Sequence, residues 1–267
     1  MSGPTIVVAV KWVPDAAAER TFSADDLTVD RSAGTGRCSE LDEYAIEEAL
    51  RLVADAGAGS VTAVTIGPDG AADALKKALQ MGADAGVHVC DDAIAGSDAA
   101  ATSRVLAAAV TRLAAEQPVD VVLCGMASTD ATMSVLPAML AERLGWPAAT
   151  LAHEVELSDD AVTIRRDGAV ADLRVRAPLP AVVSVTDQAN QPRYPSLKSI
   201  MAARKKTVTT MSLADLGVDP AQVGLGAAWT TVLDAVRRPS RQAGRRVEDA
   251  GTGGVALVDF LAEQRLL

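Results

Sequence analysis

"VTAVTIGPDGAADALKKALQMGADAGVHVC", residues 61–90, decides the fold. It opens on a β-branched run at 61–67, breaks at Gly67 and Pro68, continues as an alanine-rich helical pattern and returns to a second apolar run at 86–90. Both runs are short and continuous, which suits strands covered on both faces. A strand, a helix and a strand in that order imply a parallel pair joined by a crossover. The same grammar extends outward. "TIVVAV" (5–10) and "VDVVLCG" (119–125) read as further strands, and helical patterns occupy 39–57, 97–118 and 133–145. In the first of these, Leu41, Ala45, Ala49 and Val53 share one face, with Ile46 and Leu50 beside it. Ser39 followed by Asp42 predicts a capping box at its start. The expected fold is therefore α/β, a parallel sheet with right-handed crossovers.

After Pro147 the pattern alternates, with turn signals at Ser158–Asp160 and Asp167–Gly168. This predicts an antiparallel extension feeding a last apolar strand at 181–186. Beyond it, "VTTMSLADLGVD" reads as an extended piece leading to a short helical turn, and 219–257 as a largely irregular arm before a helical ending. The expected organisation is one α/β domain over 1–218 and an arm over 219–267 that lies on something else.

Apolar residues make up 49% of the 267-residue chain but aromatic ones only 3%, so the core must be built from Ala, Val and Leu. A formal charge of -10 argues against nucleic acid as a general partner. Cys38, Cys90 and Cys124 are odd in number and far apart, which points to a reducing cytoplasm over a disulfide framework. His88 and His153 stand in separate segments and argue against a zinc site. The first apolar run is too short to span a membrane and no basic segment precedes it, so no membrane insertion is expected.

No Gly-x-Gly-x-x-Gly follows a strand, and neither a Walker A sequence nor Gly-x-Ser-x-Gly is present. That favours a binding or carrier protein over an enzyme with catalytic side chains of its own. What remains are the carboxyl ends of the strands, where open α/β sheets bind ligands. They fall at Ala9–Lys11, at Ile66–Pro68 and in "CGMASTDATMS", 124–134. In the last, Gly125, Ser128, Thr129, Asp130, Thr132 and Ser134 lead into a helix start and could hold a phosphate. The same residues could equally serve only to cap that helix. Lys11 and Asp15 could be a ligand pair or plain solvated charges, and Asp167 beside Arg165 and Arg166 reads as a turn charge.

"NQPRYPSLKSIMAARKK", 190–206, admits two readings. Leu197, Ile200 and Met201 could pack a helix whose C-terminus the cations favour. Alternatively, Pro192 and Pro195 stiffen a docking loop that presents these apolar residues, with Arg204, Lys205 and Lys206 steering an acidic partner.

Taken together, "VAVKWVPD", "DEYAIEEALRL", "TIGP", "ALQMGAD", "DQANQPRYPSLKSIMAARKK" and "DLGVD" closely resemble the β subunit of electron transfer flavoproteins across essentially all of 1–218. The tail is similar to that of actinobacterial members. The resemblance implies an adenine nucleotide alpha hydrolase-like nucleotide-binding fold. It also implies a heterodimer whose α subunit holds most of an FAD, with AMP buried in the β chain. Acyl-CoA or other flavin dehydrogenases, as in fatty acid β-oxidation, would be the electron donors.

The family's nucleotide contacts fall here on Ala9, on Ser39, Glu40, Leu41 and Asp42, on Ile66, and on 125–136. That last loop comprises Gly125, Met126, Ala127, Ser128, Thr129, Asp130, Ala131, Thr132, Met133, Ser134, Val135 and Leu136. The resemblance makes Leu197 the docking leucine, with Ile200, Met201, Arg204 and Lys205 around it, and Asp167 a contact to the α subunit. The chain departs from the family in three places. Ser39–Leu41 replace an Asn-Pro-Phe, Ala16 replaces an aromatic near the flavin, and "DATMSVLP", 130–137, lacks the usual glycine and glutamine. Two rivals are a stand-alone universal-stress-type nucleotide-binding protein and a subunit of an NADH-oxidising bifurcating complex with a second flavin.

Overall fold

The computed structural model describes residues 3–15, 17, 21–31, 36–240 and 243–267. In chain order the first half contains β1 (Thr5–Ala9), β2 (Trp12–Pro14), β3 (Gly36–Cys38), α1 (Glu40–Asp55), β4 (Ser60–Ile66), α2 (Ala72–Met81), β5 (Ala85–Val89), α3 (Ala99–Glu116) and β6 (Val121–Gly125). The second half contains α4 (Leu136–Leu144), β7 (Ala148–Ala152), β8 (Glu154–Leu157), β9 (Ala161–Arg166), β10 (Leu173–Pro178), β11 (Ala181–Val185), α5 (Leu197–Ala203), β12 (Val208–Met211) and α6 (Gly253–Glu263).

Seven strands form one sheet in the order β12-β5-β4-β1-β6-β11-β7, and every neighbouring pair is parallel. Successive side chains of a strand point to opposite faces. Ile6 and Val8 accordingly enter the layer packed by Ala45, Ile46 and Ala49 of α1 and Leu75 and Ala78 of α2. Val7 enters the opposite layer, with Val105 and Val110 of α3 and Leu140 of α4. Alanine at the helix contacts lets the helices approach closely, which is how a core so poor in aromatics fills.

The chain leaves β1 toward β4 on one side and returns to β6 on the other, so β1 and β6 flank the switch point of the sheet. That is where such sheets open a crevice at their carboxyl ends.

Two segments depart from the sequence expectation. Residues 148–152, expected in the antiparallel extension, form the parallel edge strand β7 beside β11. Crossover α4 delivers them there, and Ser184 Oγ accepts the Leu151 N–H at 2.9 Å where Leu151 takes a left-handed φ of 62°. The extended piece at 208–211 is the opposite edge, β12, paired with β5. The antiparallel extension itself is β8–β9–β10. It buries Val155, Val162, Ile164 and Ala177 against the α1/α2 layer and ties its open side with Arg174–Glu156 and Arg176–Asp160 pairs.

The first compact unit runs to Leu233. Residues beyond 218 remain bound to it: Gly224 N donates to Ser97 Oγ, and Trp229 N donates to Asp98 Oδ2, both at 2.8 Å. The second unit, Asp234–Leu267, contains α6. Val255, Leu257, Val258 and Phe260 on that helix are all exposed.

Candidate functional site

The crevice is built where β1 and β6 end. Lys11, one turn past β1, reaches across to the loop after β6, its Nζ donating to Asp130 Oδ1 at 2.8 Å and to Ser128 Oγ at 3.4 Å. Arg31 donates to the other oxygen, Asp130 Oδ2, at 2.8 Å. The Asp130 side chain is only 4% exposed. Burial opposes its ionisation, yet the Lys11 charge and the bonds from Lys11, Ser128 and Arg31 hold its carboxyl well below the usual range. Lys11 thus pairs with Asp130, while Asp15 meets Arg37 at 3.7 Å.

The start of α1 forms the second wall. Ser39 and Asp42 do not make the expected capping box: Ser39 caps the helix by position without a side-chain bond to it. Its Oγ instead accepts Thr129 N at 3.3 Å, and its N–H donates to Lys11 O at 2.8 Å. Asp42 Oδ2 accepts Lys11 N at 2.8 Å, and the carboxylate also takes a backbone bond from Gly125. Both side chains thus satisfy backbone N–H groups across the crevice, those of Lys11, Gly125 and Thr129.

Burial pushes the Asp42 carboxyl up to about 7. Gly125 has to be glycine here, since a Cβ on it would stand 2.6 Å from Asp42 Oδ1 and 2.7 Å from the Leu41 carbonyl oxygen.

The loop 125–136 carries two non-glycine residues in left-handed backbone, Thr132 at φ 51° and Ser134 at φ 56°. Val135 follows at φ -99° directly before α4. A left-handed residue followed by a right-handed one turns successive N–H groups into an anion-binding concavity, and a helix N-terminus adds to it. Ala9, Ile66 and Met126–Asp130 stay partly accessible around this mouth, as do Glu40, Leu41 and Ala131–Leu136. Trp12 lies against Gly36, and its indole Nε1 is buried with no hydrogen-bond partner among the described residues. Ala16 lies outside the described residues.

Lys11, Ser39, Leu41, Asp42, Gly125 and Ser128–Asp130 thus meet at one mouth. Arg31 was missed, because nothing local in its sequence announces a partner 99 residues away.

The residues expected to dock a partner lie on and after α5. Leu197 begins α5 and is 78% exposed; Met201, one turn on, is 52% exposed. Arg204 and Lys205 are exposed, whereas Lys206 turns inward, its Nζ donating to Leu79 O, Gly82 O and Ala83 O at the end of α2. Lys206→Met should cost about 1 kcal/mol in urea unfolding through lost carbonyl capping. Asp167, at the end of the β9 hairpin arm, lies 3.1 Å from His153 Nδ1. Among the described residues no cluster of His, Cys, Asp or Glu could hold a metal, and no helix is long and apolar enough to cross a membrane.

Residues 26–216 match the family model of the electron transfer flavoprotein domain. The chain belongs to the electron transfer flavoprotein family. Within it, the chain is 41% identical to the electron transfer flavoprotein subunit beta of Mycobacterium tuberculosis (strain H37Rv), over 98% of this chain and 99% of that one. The Mycobacterium leprae subunit beta is also 41% identical, over the same shares. The Megasphaera elsdenii subunit beta is 30% identical over 97% of each.

Proposed function

We propose that this chain is the β half of a heterodimer that shuttles electrons from flavin dehydrogenases, through an FAD held mainly by an α subunit. The observation that carries the docking part is α5, whose Leu197 and Met201 project into solvent from a helix flanked by the exposed charges Arg204 and Lys205. Acyl-CoA dehydrogenases are the proposed class of donor. When bound, the flavin supplies the redox chemistry, and the protein supplies position and electrostatics. This chain's side of the flavin would include Trp12, whose buried Nε1 has no partner among the described residues and could serve a bound group.

AMP is proposed to occupy the strand-end mouth. Lys11 and Arg31 share the one carboxylate of Asp130, which keeps both side chains turned to it although the three together retain a positive charge. The backbone concavity at Ser134–Val135 before α4 fits the phosphate. Asp167 and the exposed apolar face of α6 are proposed as contacts to the α subunit, with residues 219–267 as the arm.

Co-expression with an α subunit, purification, and identification of the nucleotides released on denaturation test this reading. One FAD and one AMP per heterodimer are expected. A second FAD in place of AMP would favour a bifurcating complex, and a chain that ignores every α subunit and carries no nucleotide would overturn the proposal.

A further inference from the structure

One stripe of α1, residues 41, 44, 48 and 51, is spaced by three or four and so shares a face. Along it the helix meets three separate parts of the fold. The Leu41 carbonyl abuts Gly125 at the strand-end mouth. The carbonyl of Tyr44 and Oε2 of Glu48 both accept from Asn190 Nδ2 at 3.0 Å. Arg51 bonds Glu48 and also donates to the Val155 carbonyl at 2.6 Å. Beside this stripe, Glu47 takes three bonds from Arg193: from its backbone N at 3.1 Å, from Nε at 2.7 Å and from Nη2 at 2.8 Å.

These contacts are expensive to build for a structural ornament. The Glu48 side chain is 1% exposed, and a carboxylate so buried is tolerable only while both Arg51 and Asn190 serve it. Arg193 and Glu47 meet as a bidentate pair, the geometry that fixes direction as well as distance. The segment they hold rests on α2. Ala203 is the one buried residue of α5, a helix of seven residues. Its far end is fastened by Lys206 on the carbonyls of α2. α5 thus sits on α2 through Ala203 with a polar fastening on each side, and Leu197 comes four positions after Arg193.

We infer that Glu47 and Glu48 are positioning residues for the docking surface, acting through Arg193 and Asn190 to hold α5 in the orientation that presents Leu197. This rests on the docking reading of Leu197. Holding a binding element in its bound conformation removes an ordering cost from association, so loosening it weakens partner binding without touching the flavin.

The test uses the full chain co-purified with its α subunit, as wild type, as Arg193→Gln, and as the charge swap Glu47→Arg with Arg193→Glu. Two readouts are taken: amide hydrogen exchange over 194–203, and steady-state transfer from an acyl-CoA dehydrogenase reduced by its acyl-CoA. Arg193→Gln should speed exchange across 194–203 and raise KM for the dehydrogenase about three- to tenfold, with kcat and flavin content unchanged. The swap should recover both. Unchanged exchange overturns the inference. So does an unchanged KM in a preparation where Leu197→Ala raises it. If Leu197→Ala itself leaves KM unaltered, the docking reading falls first and the positioning role falls with it.

Discussion

Asp42→Asn is expected to abolish a fall in folding stability that the wild type shows between about pH 4 and pH 7. Burial is the main cause of the raised Asp42 carboxyl, and the neighbouring charge of Asp130 adds to it. The bonds from Lys11 and Gly125 and the Lys11 charge pull the other way, and the balance settles at about 7, against 3.8 for an ordinary aspartate. Between those values the folded chain keeps a proton that the unfolded chain has lost. Raising the pH through this window therefore favours unfolding, and above it the penalty stays constant. At roughly 1.4 kcal/mol per pH unit, the whole window spans about 4 kcal/mol.

Asp130 has the opposite sign. Its folded pKa is depressed, so its contribution is complete above the ordinary aspartate range and disappears as the pH falls below about 4. The two effects occupy different windows and separate cleanly. Urea unfolding at half-unit pH steps measures both, and a variant with the wild-type slope between pH 4 and 7 would exclude Asp42 as the titrating group.

Leu197→Ala should reduce the affinity for a partner dehydrogenase about tenfold to a hundredfold. Burying one leucine is worth roughly 1.5–3 kcal/mol, and about 1.4 kcal/mol corresponds to a decade. Because Leu197 is mostly exposed in the chain itself, its truncation leaves no cavity behind, and the unfolding midpoint should hardly move. Flavin content should also be untouched, since α5 lies apart from the strand-end mouth in the contacts it makes. Stopped-flow transfer rates at increasing dehydrogenase concentration provide the measurement. Full transfer rates in the variant would sink the docking assignment.

The central strands were legible because each is a continuous β-branched run between alanine-rich helices, so local pattern and burial agree. The edge strands were not. β7, "AATLA", is small and partly exposed, and β12, "VTTM", is largely exposed, so neither carries the apolar run that marks a buried strand. Their place in the sheet comes from the crossovers that deliver them, which is tertiary information. The site divides the same way. The loop after β6 could be named from its place at a strand end, whereas Ser39 and Asp42 joined the candidate site only through the family resemblance, and the local capping rule sent them to the wrong partners. Helix capping is read over four residues, whereas Asp42 answers Lys11, 31 positions away, and Lys11 answers Asp130, 119 positions away. The triad of Lys11, Arg31 and Asp130 has no contiguous signature at all.

The closeness of Gly125 to the first turn of α1 has a consequence for how this chain can be inherited. A methyl group at 125 collides with a carboxylate oxygen and a carbonyl of that turn, one of which belongs to the backbone and cannot be mutated away. The last residue of one strand and the opening of a helix more than eighty positions earlier are thus a single hereditary unit. A side chain at 125 is barred whatever residue stands at 41, so any rebuilding of the strand-end mouth must move the first turn of α1 with it.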